Sequence, residues 1–95
     1  MKLISSTLIQ NAYNKLYSKL REYVWEYDVA ILIAKLEVAS YKAIVDLNEI
    51  KLLLNQIEQA SRYAEIEDEE LFDALVHFKK LAESADYTYL KLEES

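Results

Sequence analysis

The chain has 95 residues, of which 53% are hydrophobic, a net charge of −6, and no glycine, proline or cysteine. One core is all that a chain of this length can build, and its hydrophobic content excludes disorder. Without glycine and proline, tight hairpins lose their usual residues and only capping side chains interrupt helices. We therefore predict a single all-α domain over residues 1–95.

The same composition excludes several classes of function. An acidic chain without a basic stripe is repelled by phosphate backbones, so we expect no direct binding to nucleic acid. No window of about 18 residues is free of charge, which argues against a membrane span, and no signal peptide is evident at the start of the chain. The absence of cysteine excludes disulfides and thiolate metal sites and suits the cytoplasm, where we expect the protein to reside.

The first predicted helix begins at Thr7, which forms a capping-box pattern with Gln10. Its apolar face is rich in aromatic residues and comprises Ile9, Ala12, Tyr13, Leu16, Leu20, Tyr23 and Tyr27. Asp28 can cap a following helix, and the preceding Trp-Glu-Tyr run forms helix poorly, so we predict a turn near 26–29. The alternative is one helix that continues through this point, because the apolar stripe stays in heptad register across it.

The second predicted helix, residues 29–47, is apolar nearly all round. One face carries Leu32, Leu36, Ala39 and Ala43, and almost the opposite face carries Ile31, Ala34, Val38, Tyr41 and Val45. A helix with two apolar faces must be covered on most sides. We expect it to lie in the middle of a bundle or between two copies of the chain.

A second capping-box pattern, Asp46 with Glu49, predicts a break and a third helix over 47–63. The apolar stripe nevertheless continues in phase from Leu32 to Ala64, and an unbroken helix over 29–63 stays an open alternative. Such a helix would be about 50 Å long and would favour self-association, whereas a break favours a compact four-helix bundle. The prediction is an antiparallel bundle of three or four helices with a nearly all-apolar central helix, self-associating.

Residues 65–73 contain six acids in nine positions, a pattern typical of a helix start. We predict a loop at 64–67, an N-cap at Asp68 and a last helix to about Ala85. Its core face comprises Leu71, Ala74, Leu75, Phe78, Leu81, Ala82 and Ala85. The tail is ambiguous, although Tyr89 continues the helical stripe.

No pattern in the chain predicts catalysis. The only histidine, His77, follows Asp73 by four residues, a spacing that suits one metal ion, but no second histidine exists to complete a site. Phosphate loops and nucleophile elbows depend on glycine, which is absent. We expect no enzyme activity, no metal and no cofactor.

Three groups of apolar residues remain as candidate interfaces. Trp25 lies opposite Leu16 on the first helix with Arg21 nearby, and an exposed tryptophan is typical of interface anchors. The other two groups are Val38, Tyr41 and Val45 on the central helix, and Phe72 and Val76 on the last helix.

The sequence therefore predicts a small non-enzymatic protein-binding module, of regulatory, adaptor or immunity type, with a protein partner and a homodimeric state. The alternative function is an acidic inhibitor that mimics nucleic acid through the carboxylates of residues 65–73.

Overall fold

The computed structural model describes residues 6–41, 45–84 and 89–90. The described residues form four helices: α1 (Ser6–Arg21), α2 (Tyr27–Tyr41), α3 (Leu47–Tyr63) and α4 (Glu69–Ser84). Two short segments, β1 (Val45–Asp46) and β2 (Tyr89–Leu90), pair antiparallel, with Val45 opposite Leu90. The prediction of an all-α bundle is confirmed, and none of the described helices is long and apolar enough to cross a membrane.

α1 ends at Arg21, and a turn over residues 22–26 precedes α2. The backbone N–H of Tyr23 donates to the Leu20 carbonyl at 2.9 Å, and that of Glu26 donates to the Tyr23 carbonyl at 3.0 Å. The predicted break is confirmed, although it begins about one helical turn before 26–29, and the alternative of one continuous helix is wrong. Tyr27 starts α2 and is 75% exposed, so its predicted place on the core face of the first helix is also wrong.

The break between α2 and α3 occurs where the second capping box predicts it. Asp46 is the N-cap of α3, with extended backbone angles, and its carboxylate accepts a bond of 2.8 Å from the Asn48 N–H. A helix start has unpaired N–H groups, and this bond satisfies one of them. The alternative of an unbroken helix over 29–63 is therefore wrong. Ala43 lies outside the described residues.

α3 ends in a tight reversal that a glycine-free chain must build from another residue. Glu65 takes a positive φ of 58°, the backbone conformation in which glycine is usual. Its N–H donates to the Arg62 carbonyl at 3.0 Å, and the Ile66 N–H donates to the Ser61 carbonyl at 3.1 Å. These two bonds form a Schellman motif, and the buried Ile66 side chain fixes the chain to the core.

α4 begins at Glu69, directly after the predicted N-cap Asp68. The Asp68 carboxylate accepts a hydrogen bond of 3.1 Å from the Leu71 N–H, as a capping side chain does. The helix ends at Ser84, and Ala85 lies outside the described residues. Tyr89 does not continue the helical stripe, because it pairs in β2 with Asp46 of β1. Aromatic residues favour extended backbone, which is consistent with this pairing.

All four helices contribute to one core. Its largest fully buried side chains are Ile9, Leu16, Leu20, Val29, Leu36, Ile50, Leu54, Ile57, Leu71, Leu75 and Phe78. The buried Tyr13 hydroxyl donates to the Leu36 carbonyl at 3.1 Å and so ties α1 to α2. Because this core covers only one side of α2, the other side is left at the surface.

Candidate functional site

The outer face of α2, defined as Ile31, Ala34, Val38 and Tyr41, is exposed. Val38 is 57% and Ile31 41% exposed. The predicted opposite face has the reverse environment, and its described members Leu32, Leu36 and Ala39 are buried. Of the two apolar faces of this helix, the fold of the single chain therefore buries one and leaves the other exposed.

A groove of about 490 Å³ runs beside this face, between α2 and α3. Its lining residues are Ile31, Ala34, Lys35, Val38 and Ala39 from α2, with Glu49 and Ile50 from α3. Ala39 and Ile50 are buried, whereas the two charged residues of the lining are exposed. The groove is thus an apolar depression with charged side chains at its edge, a form that suits an apolar side chain from another molecule.

On its α1 side, the outer face is bordered by a chain of polar contacts. Arg21 donates to the Tyr17 hydroxyl at 3.0 Å, and that hydroxyl donates to the Glu37 carboxylate at 2.9 Å. The Arg21 guanidinium also lies 5.8 Å from the centre of the Tyr17 ring. The predicted interface residue Arg21 is therefore connected to α2 through Tyr17 and Glu37.

Trp25 lies in the turn between α1 and α2 and is 72% exposed. Its indole N–H donates to the Glu22 carbonyl at 3.2 Å, and its ring centre lies 6.3 Å from that of Tyr23. Trp25 and Arg21 thus contact different neighbours, Tyr23 and Tyr17. The sequence placed both residues on one helix, but α1 ends at Arg21 and Trp25 belongs to the turn that follows.

The remaining predicted interface residues lie in different surroundings. Phe72 is half-buried against the core, and the Arg62 guanidinium lies 4.8 Å above its ring. Val76, one turn later on α4, is exposed. The backbone of Val45 forms part of β1, so its predicted place on a helix over 29–47 is wrong, because α2 ends at Tyr41. The side chain of Val45 lies outside the described part of the chain.

The acidic corner, defined as Lys19, Glu22, Tyr23, Asp68 and Glu70, joins the end of α1 to the start of α4. The Tyr23 hydroxyl donates to Asp68 at 2.6 Å, and the Lys19 ammonium lies 3.1–3.3 Å from carboxylate oxygens of the three acids. The hydrogen bond from Tyr23, with those from the Leu71 N–H and from Lys19, lowers the pKa of Asp68 below its usual range. Sequence reasoning missed the roles of Lys19 and Tyr23, because Asp68, the partner that they share, lies more than 40 residues away and no local pattern indicates the contact.

A similar pair of charges joins α3 to α4. Lys79 donates to Glu58 at 2.5 Å, and Arg62 donates to the same carboxylate at 3.3 Å. These two bonds, that from Lys79 foremost, lower the pKa of Glu58. Asp73 and His77 are both exposed on α4, and among the described residues no three potential metal-ligating side chains come together.

Comparison with family models, curated proteins and solved structures finds no match to this chain. The function of this protein must therefore be inferred from its surface. Its strongest feature is the outer face of α2, which combines exposed apolar side chains with the neighbouring groove.

Proposed function

We propose that this protein is a small non-enzymatic protein-binding module, of regulatory, adaptor or immunity type, that binds through the outer face of α2. The observation that carries the proposal is that this apolar face is exposed beside an apolar groove. Leu52, an apolar residue of α3, is also exposed. Contiguous exposed apolar surface with polar edges is typical of protein interaction sites.

The spacing of the outer face indicates what kind of element binds there. Ile31, Ala34, Val38 and Tyr41 follow one another at intervals of three, four and three residues. Helices that pack along a groove present their anchors at this spacing. We therefore propose a helix as the bound element.

The proposal includes an antiparallel arrangement of the bundle and a cytoplasmic location. The contacts of Lys19 in the last turn of α1 with Asp68 and Glu70 at the start of α4 support the first. The short connection over residues 22–26 supports it too, because short links favour antiparallel neighbours. The absence of cysteine suits the second.

Contacts within the acidic run favour the outer face over mimicry of nucleic acid. Asp68 caps α4 and binds Tyr23 and Lys19, while Glu70 lies 3.2 Å from the same ammonium. A mimic needs carboxylates that are spaced along a surface and available to a partner. Two carboxylates of this run instead contribute to the contact between α1 and α4.

Site-specific photo-crosslinking in the native host tests the proposal. A photoreactive residue at Val38 should form covalent adducts with protein, because this position lies in the centre of the outer face. The matched control is Asn55, exposed on α3, where we expect no adduct above background. Equal crosslinking from both positions, or none from Val38, would contradict a binding role for this face.

A further inference from the structure

We infer that the outer face of α2 binds the same face of a second copy, in a two-fold dimer whose two α2 helices run parallel. This inference rests on the proposed function, since it names the partner of the proposed surface. Three observations carry it: the heptad spacing of the exposed residues, the small residue Ala34 among them, and the charges on either side.

The heptad spacing allows the outer face to act as a seam, that is, as the line of residues along which two paired helices contact each other. Alternation of three and four residues is the repeat that holds two helices side by side in a left-handed supercoil. In such a pair each seam residue inserts between residues of the facing helix. Ala34, between Ile31 and Val38, leaves room for the second helix to approach, and the groove between α2 and α3 offers further space for its larger side chains.

The charges beside the seam favour a second copy in parallel orientation. On α2, Lys35 lies on the side that lines the groove with α3, where Glu49 of α3 is also exposed. Glu37 lies on the other side, which contacts Tyr17 of α1 and through it Arg21. A two-fold axis parallel to α2 places the Lys35 side of each copy against the Glu37 side of the other. In the antiparallel orientation each side instead meets its own counterpart, so lysine faces lysine and glutamate faces glutamate.

The same two charges argue against a partner of one dominant charge. A strongly basic surface would match Glu37 and be repelled by Lys35, and a strongly acidic surface would do the reverse. A second copy matches both sides at once. In paired helices, charged residues that flank the contact determine which partner binds and in which orientation. With Lys35 on one side and Glu37 on the other, the outer face is complementary to itself.

A charge-swap experiment tests this pairing. Lys35→Glu and Glu37→Lys each place like charges on both sides of the seam, so each variant alone should be monomeric where the parent protein dimerises. An equimolar mixture of the two restores opposite charges at both contacts and should form a heterodimer. Sedimentation velocity over a concentration series, with one variant fluorescently labelled, measures both results.

The controls separate pairing from loss of fold. Tyr17→Phe removes the hydrogen bond to Glu37 without reversing a charge, and it should dimerise like the parent. Circular dichroism reports whether each variant keeps its helices. A mixture that stays monomeric while both variants remain folded would overturn the inference.

A cysteine variant tests the parallel orientation and does not depend on Glu37→Lys folding. The chain has no cysteine, so Ala34→Cys carries the only thiol. In a parallel two-fold dimer residue 34 lies opposite its own counterpart, and mild oxidation should give a disulfide-linked dimer at low protein concentration. Lys80→Cys, exposed on α4, is the matched control and should crosslink at least tenfold more slowly.

The outcomes also distinguish this inference from the proposed function. A parent protein that is monomeric at every concentration, with Ala34→Cys no faster than Lys80→Cys, overturns the second copy as partner. If Val38 still crosslinks specifically to a different protein in the host, the protein-binding function stands without it. If Val38 crosslinks to nothing, both fail.

Discussion

At the acidic corner, charged and hydroxyl groups from the end of α1, the turn after it and the start of α4 bond to one another, whereas the outer face of α2 is apolar and exposed. Asp68 alone accepts bonds from Tyr23, from the Leu71 N–H and from Lys19. Val38, by contrast, is more than half exposed at the surface. Both regions are conspicuous in the sequence, the first as an acidic run and the second as an apolar stripe. A run of acidic residues can therefore stabilise the fold, whereas an apolar stripe can remain at the surface and be available to a partner.

We expect substitutions at the acidic corner and in the core to alter the free energy of unfolding. Substitutions on the outer face should instead alter the binding of a partner. The largest contrast lies within α2 itself. Leu36→Ala removes a fully buried side chain and should lower the free energy of unfolding by about 3 kcal/mol. Val38→Ala, two residues away on the outer face, should change it by less than about 0.5 kcal/mol.

Urea unfolding of both variants at low protein concentration, where a weak dimer dissociates, measures this contrast. Equal losses for the two variants would mean that the outer face is packed within the single chain, and the comparison would fail.

Asp68→Ala should give the next largest effect. It removes the N-cap of α4 together with the acceptor for Tyr23, and we expect a loss of about 2 kcal/mol. Asp68→Asn retains a capping oxygen and should lose less. Glu69→Gln, in the same turn, removes one negative charge near the start of α4 and should change the free energy of unfolding very little. A loss equal to that of Asp68→Ala would mean that the negative charge at the helix start, and not the contacts of Asp68, stabilises the fold.

The acidic corner should also make stability depend on pH. Since the folded state lowers the pKa of Asp68, the unfolded chain binds the proton first as the pH falls. The contribution of Asp68 is therefore fully present above about pH 4, near the ordinary aspartate value, and is lost as the pH falls through the folded-state pKa. Glu58, whose pKa is also lowered, adds to the same slope.

Thermal unfolding between pH 6 and pH 2.5 should show this decline in the parent protein and a shallower one in Asp68→Asn. Identical slopes for the two proteins would exclude Asp68 as a source of the pH dependence.

Ser61 offers a smaller effect, in the stabilising direction. Its hydroxyl is fully buried and has no hydrogen-bond partner among the described residues. Burial of an unpaired hydroxyl costs free energy, so Ser61→Ala should stabilise the fold by about 1 kcal/mol. Ser40→Ala is the matched control, because the Ser40 hydroxyl donates to the Glu37 carbonyl at 2.6 Å and its loss should destabilise slightly. Destabilisation by Ser61→Ala in chemical unfolding would show that this hydroxyl is satisfied.

The smallest predicted effect concerns the reversal at the end of α3. Glu65 has a positive φ, which costs a residue with a Cβ atom about 1 kcal/mol relative to glycine. Glu65→Gly should therefore stabilise the fold by about 0.5–1 kcal/mol in urea unfolding. Glu67→Gly, in the same loop, should give no such gain, and equal effects at the two positions would remove the explanation by backbone conformation.

Local signals in the sequence account for much of the fold. Asp46 and Asp68 are recognisable as caps because a capping side chain bonds to N–H groups only two or three residues ahead. The end of α1 is less visible, because residues 22–26 contain neither glycine nor proline and the turn is built from backbone bonds. Contacts between distant residues, such as Lys19 with Asp68, have no local signature.

The candidate site divides in the same way. The residues of the outer face can be read from helical periodicity alone, since Ile31, Val38 and Tyr41 fall on one side of any helix through them. Their exposure cannot, because exposure depends on where the other helices lie. The strip of Phe72 and Val76 is a second example. Both residues can be recognised as apolar positions in the sequence, but only the fold shows that Phe72 lies beneath the Arg62 guanidinium.

The amino-acid sequence was sufficient to predict an all-α fold and a helix, α2, that is apolar on two sides. The lack of glycine and proline, the high apolar content and the capping residues can all be read from the sequence without knowing which residues lie close together in the fold. Only the packing of the helices shows that Leu32, Leu36 and Ala39 are buried in the core while Ile31 and Val38 are exposed at the surface. The hydrophobic periodicity of α2 predicts burial for both faces equally, but the packing of α1, α3 and α4 around the core covers only one of them.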